Sequence, residues 1–211
     1  MKTLACKQGS TEWALARAGV VTASEVDALV TPRFEPRTGE GVKTYLYRKA
    51  AERIMGPPVE GPGGGTYAMD QGNVLEKIAI PWYEFRYGVT VNRVGFCLSD
   101  DGKTGCSPDG LVGDLRGLEI KCPTPPTHCR YLLEQRVPPE YLPQIHMSML
   151  VTGRTEWTFV SYSPYLPALV VTLLRDDAIQ TVLRETLSKF TAQVDEAETR
   201  IRAMMPKGGR D

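Results

Sequence analysis

The chain has 211 residues, 42% of them apolar and 24% charged, enough for one substantial core and too apolar for a disordered class. Lys plus Arg and Asp plus Glu balance at 25 each, and a formal net charge of zero argues against broad nonspecific attachment to nucleic acid duplex. No run approaches the roughly 18 apolar residues of a membrane span, and Met1-Lys2-Thr3-Leu4-Ala5-Cys6-Lys7 is too short and polar for a secretory signal, so a cytosolic location with no membrane is expected.

In chain order, the first elements read as helices near 10–18 and 23–30, with Thr22 and Glu25 spaced as a capping box. A third helix is expected at 43–55. Arg33, Arg37, Lys43, Arg48, Lys49 and Arg53 gather around it as a candidate nucleic acid path, the alternative being a solvated helix face. A Gly/Pro-rich loop at about 56–66 follows and reads as flexible; it lacks the Lys-Ser/Thr of a phosphate-binding P-loop. A helix is expected at 68–87, where Pro81 removes an amide donor and predicts a kink beyond Glu76. Strands are expected at 89–98, 103–107, 109–113 and 117–122, then helices at 126–136 and 139–152. Glu156 to Tyr162 and Ala168 to Leu173 are aromatic and β-branched and read as strands, a helical apolar spacing runs from Asp176 to Met205, and the tail at about 206–211 reads as mobile. This alternation predicts one α/β domain over 1–211, a central mixed β-sheet flanked by helices.

The chemistry concentrates at Ser107-Pro108-Asp109-Gly110, followed ten residues after Asp109 by Glu119-Ile120-Lys121. Leu111 to Gly117 between them reads as strand, tight loop, strand, so Asp109 and Glu119 come to face each other across a hairpin. The period of two sends Glu119 and Lys121 to one face and Leu118 and Ile120 to the core. Two acids held this close repel unless they share a cation, and all-oxygen ligation suits Mg²⁺ or Mn²⁺. Such an ion activates water and neutralises a phosphate while Lys121 orients the water or stabilises developing charge, which is phosphodiester hydrolysis; the bland alternative is an ordinary surface hairpin. Only His128 and His146 are available, so no histidine metal cluster or Ser-His-Asp system assembles, and Cys122, His128 and Cys129 have the wrong spacing for zinc. Five cysteines without a CxxC pair suggest reduced thiols, with Cys97, Cys106 and Cys122 on expected strands.

Pro108-Asp109, ten residues, Glu119-x-Lys121 resembles the PD-(D/E)XK nuclease superfamily. The longer strings Cys106 to Leu111 and Gly117 to Pro123 resemble its phage lambda exonuclease (YqaJ-type viral recombinase) branch. Three further motifs carry the likeness: Trp13 with Arg17-Ala18-Gly19-Val20-Val21-Thr22-Ala23-Ser24, Gly72-Asn73-Val74-Leu75-Glu76, and Tyr141 to Thr152 with Gln144. The resemblance implies a restriction-endonuclease-like core. It also implies that Asp109, Glu119, the main-chain carbonyl of Ile120 and Glu76 are metal ligands, and that Lys121 is catalytic with Gln144 positioning the lysine or water. Arg17, Ser24 and Ser107 would form a pocket for a 5′-phosphate, a donor set that suits a dianion. Trp13 could stack on a terminal base or belong to the core. The implied activity is a Mg²⁺-dependent exonuclease (Mn²⁺ as substitute, two ions) acting 5′ to 3′ on linear double-stranded DNA. It would release mononucleotides and leave 3′ single strands for a single-strand annealing protein. A homotrimer ring in the cytoplasm of a bacterial host, phage or prophage encoded, completes the implied picture. The alternatives are an endonuclease or junction resolvase of the same superfamily, and a noncatalytic DNA-binding recombination subunit.

Overall fold

Ser10 opens the first helix: its Oγ accepts the Trp13 N–H at 3.2 Å, which caps α1 (Thr11–Arg17) and sets Trp13 and Arg17 one turn apart on the same face. The computed structural model describes residues 1–58 and 67–206, without the side chains of 67–74. Most of the loop expected at 56–66 and of the tail expected at 206–211 therefore lies outside the described residues. β1 (Lys2–Leu4) precedes α1, and β2 (Val21–Thr22) follows it. The helix expected at 23–30 is a 3₁₀ segment over Ala23–Ala28. Thr22 does not cap it; its hydroxyl donates instead to the Glu25 carboxylate at 2.9 Å.

α2 (Glu40–Met55) and α3 (Tyr67–Tyr87) come next, and α3 continues through Pro81. The strand expected at 89–98 is confined to β3 (Phe96–Leu98), with Asn92 making an isolated bridge to Leu111. β4 (Thr104–Cys106), β5 (Gly110–Val112), β6 (Arg116–Lys121), α4 (Pro125–Glu134), α5 (Leu142–Thr152), β7 (Glu156–Ser161), β8 (Leu169–Leu174) and α6 (Asp177–Met204) complete the order. A 3₁₀ turn, Pro139–Tyr141, leads into α5 where one continuous helix was expected.

The strands form two mixed four-stranded sheets where one was expected. The first has the order β1-β3-β4-β2 with β2 parallel to β4, and the second the order β5-β6-β7-β8 with β6 parallel to β7. The second sheet carries helices on both faces. Leu118, Ile120 and Val160 pack with Ala79, Ile80 and Tyr83 of α3, while Trp157 and Phe159 on the other face join the cluster that holds Tyr131, Ile145 and Leu183 of α4, α5 and α6. Strand β6 is thus covered on both sides, the usual state of a strand with a parallel partner, and Glu119 is only 2% exposed although its face was expected to be polar. All five cysteines are free thiols. Cys97 and Cys106 are opposite each other on β3 and β4, and Cys122 falls just past β6. Among the described residues no helix is long and apolar enough to cross a membrane.

Candidate active site

The β5–β6 hairpin turns through Gly113-Asp114-Leu115, with Gly113 at φ 53°, a left-handed conformation natural to glycine. Arg154 holds the turn from outside, its Nη1 donating to the carbonyls of Gly113 (2.8 Å) and Arg116 (3.0 Å). The register pairs Gly110 with Leu118, and one step further sets Asp109 opposite Glu119. The Ile120 N–H donates to Asp109 Oδ2 at 2.5 Å, fixing the carboxylate against the strand. Glu119 Oε1 accepts from two donors at once, Lys121 Nζ and Gln144 Nε2, each at 2.7 Å. Gln144 therefore reaches the lysine through Glu119. The Lys121 ammonium also lies 5.4 Å from the centre of the Tyr141 ring, which stacks on Phe159.

The electrostatics agree with this crowding. Burial, then Glu119 and Glu76, push the Asp109 carboxyl well above the ordinary carboxylate range. Burial raises Glu76 as well, with Lys121 opposing and Glu119 adding to it. Burial alone would lower the Lys121 ammonium, but the Glu119 and Asp109 carboxylates prevail and raise it. The Cys122 thiol, half-buried beside Glu76 and Asp109, is pushed up to about 12. Carboxylates that raise one another leave negative charge a hard cation can relieve, and the oxygen-only donors fit Mg²⁺. Glu76 stands close enough for its charge to act on Asp109 and for that of Glu119 to act on it. Carboxylates, a main-chain carbonyl and solvent would make an all-oxygen set of the kind Mg²⁺, which keeps waters, accepts.

The second cluster lies one proline away. β2 and β4 run parallel with Thr22 opposite Gly105, so the segments that leave them, Ala23-Ser24 and Ser107, emerge side by side. Arg17 of α1 reaches all of them: Nη2 donates to Ser24 Oγ at 3.1 Å and to Thr22 Oγ1 at 3.3 Å, and Nη1 to Ser107 Oγ at 3.4 Å. Trp13 Nε1 donates to the same Ser107 oxygen at 2.8 Å, and the Arg17 guanidinium lies 4.2 Å from the centre of the Trp13 ring. Trp13 is half-buried, and Arg17 lies over one face of its ring. Arg17, Ser24, Ser107 and Trp13 thus meet, and the chain links them to Asp109 through Pro108, whose carbonyl accepts from Gln8 Nε2 at 3.0 Å.

Residues 12–155 match the YqaJ-like viral recombinase domain. The chain belongs to this family. It is similar to an alkaline exonuclease from Laribacter hongkongensis, LHK-Exo, with 32% identity over 92% of this chain and 97% of that one. The TM-score is 0.79, and 0.80 against LHK-Exo in complex with dAMP. A phage related exonuclease from Haemophilus somnus 129PT, 15% identical over 86% of this chain and 96% of that one, shares the fold with a TM-score of 0.62. No curated protein sequence matches the chain. The α/β core of the PD-(D/E)XK type expected from the sequence stands.

Two residues of the YqaJ-like domain escaped the sequence reading. Thr22, fully buried, belongs to the Arg17 cluster, and Tyr141 covers Lys121. The signal for both was present, since each lies two or three residues from a residue singled out, Ser24 or Gln144. Four of the six basic residues around α2 are engaged in ion pairs, while Arg33 and Arg37 are exposed, with Arg37 Nε donating to the Val30 carbonyl. Lys49 is buried between Glu25 and Glu52, Arg48 pairs with Glu25, Arg53 pairs with Asp195 and Glu198, and Lys43 pairs with Glu40. His128 is wholly buried, with Ser161 Oγ at 2.7 Å and the Pro167 carbonyl at 2.9 Å, a structural role; His146 packs edge-on against Phe34.

Proposed function

We propose that this chain is a Mg²⁺-dependent exonuclease that degrades linear double-stranded DNA from a 5′-phosphorylated end, 5′ to 3′, releasing mononucleotides and leaving 3′ single strands. The observation that carries the reading is the adjacency of two sites of different chemistry: a nest of guanidinium and hydroxyls at Ser107, and the Glu119–Lys121 ion pair beside Asp109. The similarity to an alkaline exonuclease, one of whose structures holds dAMP, supports it. A ring-shaped homotrimer and a single-strand annealing partner, both implied by resemblance to the phage lambda exonucleases, complete the proposal, together with action in the cytoplasm. With the basic residues of α2 itself engaged in ion pairs, DNA retention rests on enclosure more than on that helix.

Asp109, Glu119 and the main-chain carbonyl of Ile120 would hold Mg²⁺ (or Mn²⁺), with Glu76 adding to the acidic set. When bound, the metal lowers the pKa of a water and neutralises charge on the scissile phosphate. Arg17 forks onto two oxygens of the terminal phosphate while Ser24 and Ser107 supply hydroxyls, replacing the hydrogen bonds these groups now make with one another; Thr22, buried behind them, keeps its bond to Glu25. Lys121, held as an ammonium by Glu119, donates toward the charge that develops as the phosphodiester breaks. Gln144 shares the Glu119 oxygen and thereby fixes where Lys121 points.

The reading is tested by incubating the protein and Mg²⁺ with end-labelled linear duplex bearing a 5′-phosphate or a 5′-hydroxyl, with closed circular duplex alongside. Mononucleotides from the phosphorylated end with circles spared are expected. Arg17→Ala should cut the preference for the phosphate about tenfold or more, the value of a charge-assisted contact. Cut circles would replace the exonuclease with an endonuclease, and binding without hydrolysis would leave a noncatalytic subunit. Gln144→Leu keeps volume but removes the donor to Glu119, and is expected to lower kcat by about 10- to 100-fold with little change in KM. A change confined to KM would assign Gln144 to substrate binding instead.

A further inference from the structure

Arg17 is a buried-edge cation without a carboxylate partner: among the described residues its hydrogen bonds go to Ser24, Thr22 and Ser107, all neutral. Yet a carboxylate stands one hydroxyl away. Thr22 Oγ1, which accepts from Arg17 Nη2, donates to Glu25 Oε2 at 2.9 Å. Glu25 is kept there by two other cations. Its Oε2 meets Lys49 Nζ at 3.0 Å and its Oε1 meets Arg48 Nη2 at 2.8 Å, with the Tyr45 hydroxyl at 3.4 Å. Arg48 is half exposed to solvent, whereas Lys49 has a side chain only 3% exposed and is locked on its other side by Glu52 Oε2 at 2.9 Å. Glu52 Oε2 in turn accepts the Gly19 N–H at 2.9 Å, in the turn that leads from Arg17 to Thr22.

We infer that Lys49 is a specificity-determining positioning residue, which holds the Glu25 carboxylate away from Arg17 and so keeps the guanidinium available to an incoming phosphate. This rests on the phosphate pocket proposed above. A buried lysine is costly unless paired, and this one is paired to two acids at once. Without the ammonium, Glu25 keeps only the half-exposed Arg48 at 2.8 Å and the free half of its charge faces Arg17, one hydroxyl away, so that a terminal phosphate must compete with an internal carboxylate before it binds. Glu25 already acts on Arg17 across this gap, its field opposing the effect of burial on the guanidinium.

The test measures binding, so it does not depend on turnover. The affinities of duplex carrying a 5′-phosphate and a 5′-hydroxyl are compared by fluorescence anisotropy in EDTA for the native protein, Lys49→Met, Lys49→Met/Glu25→Gln, Glu25→Gln and Arg17→Ala. Lys49→Met is expected to reduce the phosphate preference about tenfold, and the double variant to restore it, because its Glu25 side chain no longer carries charge. Loss through general loosening of the fold would weaken binding of both ends alike and leave the ratio between the 5′-phosphate and the 5′-hydroxyl unchanged. A native preference in Lys49→Met, or no rescue in the double variant, overturns the inference. Should Lys49→Met fail to fold, Glu25→Gln decides: preference retained supports the inference, and preference lost shows that Glu25 orients Arg17 through Thr22. Native protein that ignores the phosphate, or Arg17→Ala that leaves the preference intact, sinks the pocket itself and is thereby distinguishable from failure of Lys49 alone.

Discussion

Lys121→Ala is expected to lower hydrolysis by about 10²- to 10³-fold, the cost of removing a preorganised donor from a developing charge, while affinity for duplex DNA stays close to native. The ammonium is bonded to Glu119 Oε1 at 2.7 Å and lies over Tyr141, so it is positioned before substrate arrives and needs little reorganisation. The deletion leaves Gln144 still bonded to the same oxygen, so Glu119 keeps one partner and the site keeps its shape. Single-turnover cleavage together with anisotropy binding separates the two quantities. Native turnover in the variant would remove Lys121 from the chemistry, and an equal loss of binding would make it a DNA anchor.

Gly117→Ala is expected to be the most damaging small substitution in the hairpin. Gly117 is the second residue of β6, opposite Trp157 on parallel β7, and a Cβ there would fall well inside van der Waals contact with the Trp157 six-membered ring. The indole cannot withdraw: it is wholly buried, packed in the larger core cluster. Overpacking of this kind costs about 1–3 kcal/mol and more where the neighbours are rigid, which for a chain of this size lowers Tm by roughly 3–10 °C. Thermal denaturation followed by tryptophan fluorescence reads both the stability and the displaced ring. A Tm indistinguishable from native would show that the ring moves aside at no cost.

The parts of the molecule that were legible in the sequence are those whose partners are close in sequence or fixed by a periodic pattern. Asp109, Glu119 and Lys121 lie within one hairpin, and a period of two with a glycine at the turn suffices to bring them together. Arg17, Ser24 and Ser107 were legible only through resemblance, because their meeting depends on a parallel pairing of two very short strands, β2 and β4, that leave no periodic trace. The same brevity hid β1 and the division into two sheets. Thr22 looked like a helix cap since Thr and Glu three apart commonly are one, but a 3₁₀ segment follows and the hydroxyl turned to Arg17 and Glu25. The basic run misled for a different reason. Glu40 and Glu52 are within one turn of Lys43 and Lys49, but Asp195 and Glu198 come from α6, more than 140 residues beyond Arg53, and Glu25 comes from the 3₁₀ segment, so a local window shows only part of the neutralisation.

The single proline between Ser107 and Asp109 gives the molecule a length standard. Two peptide steps span at most about 7 Å between Cα atoms, and a proline ring stiffens the middle of that span. On the proposed reading, the group that senses the end of a strand and the group that cuts it are thus joined by covalent bonds that cannot stretch, and Gln8 ties down the carbonyl between them. The size of each fragment released would then be set by bond lengths in the enzyme, not by how tightly it grips the DNA beyond.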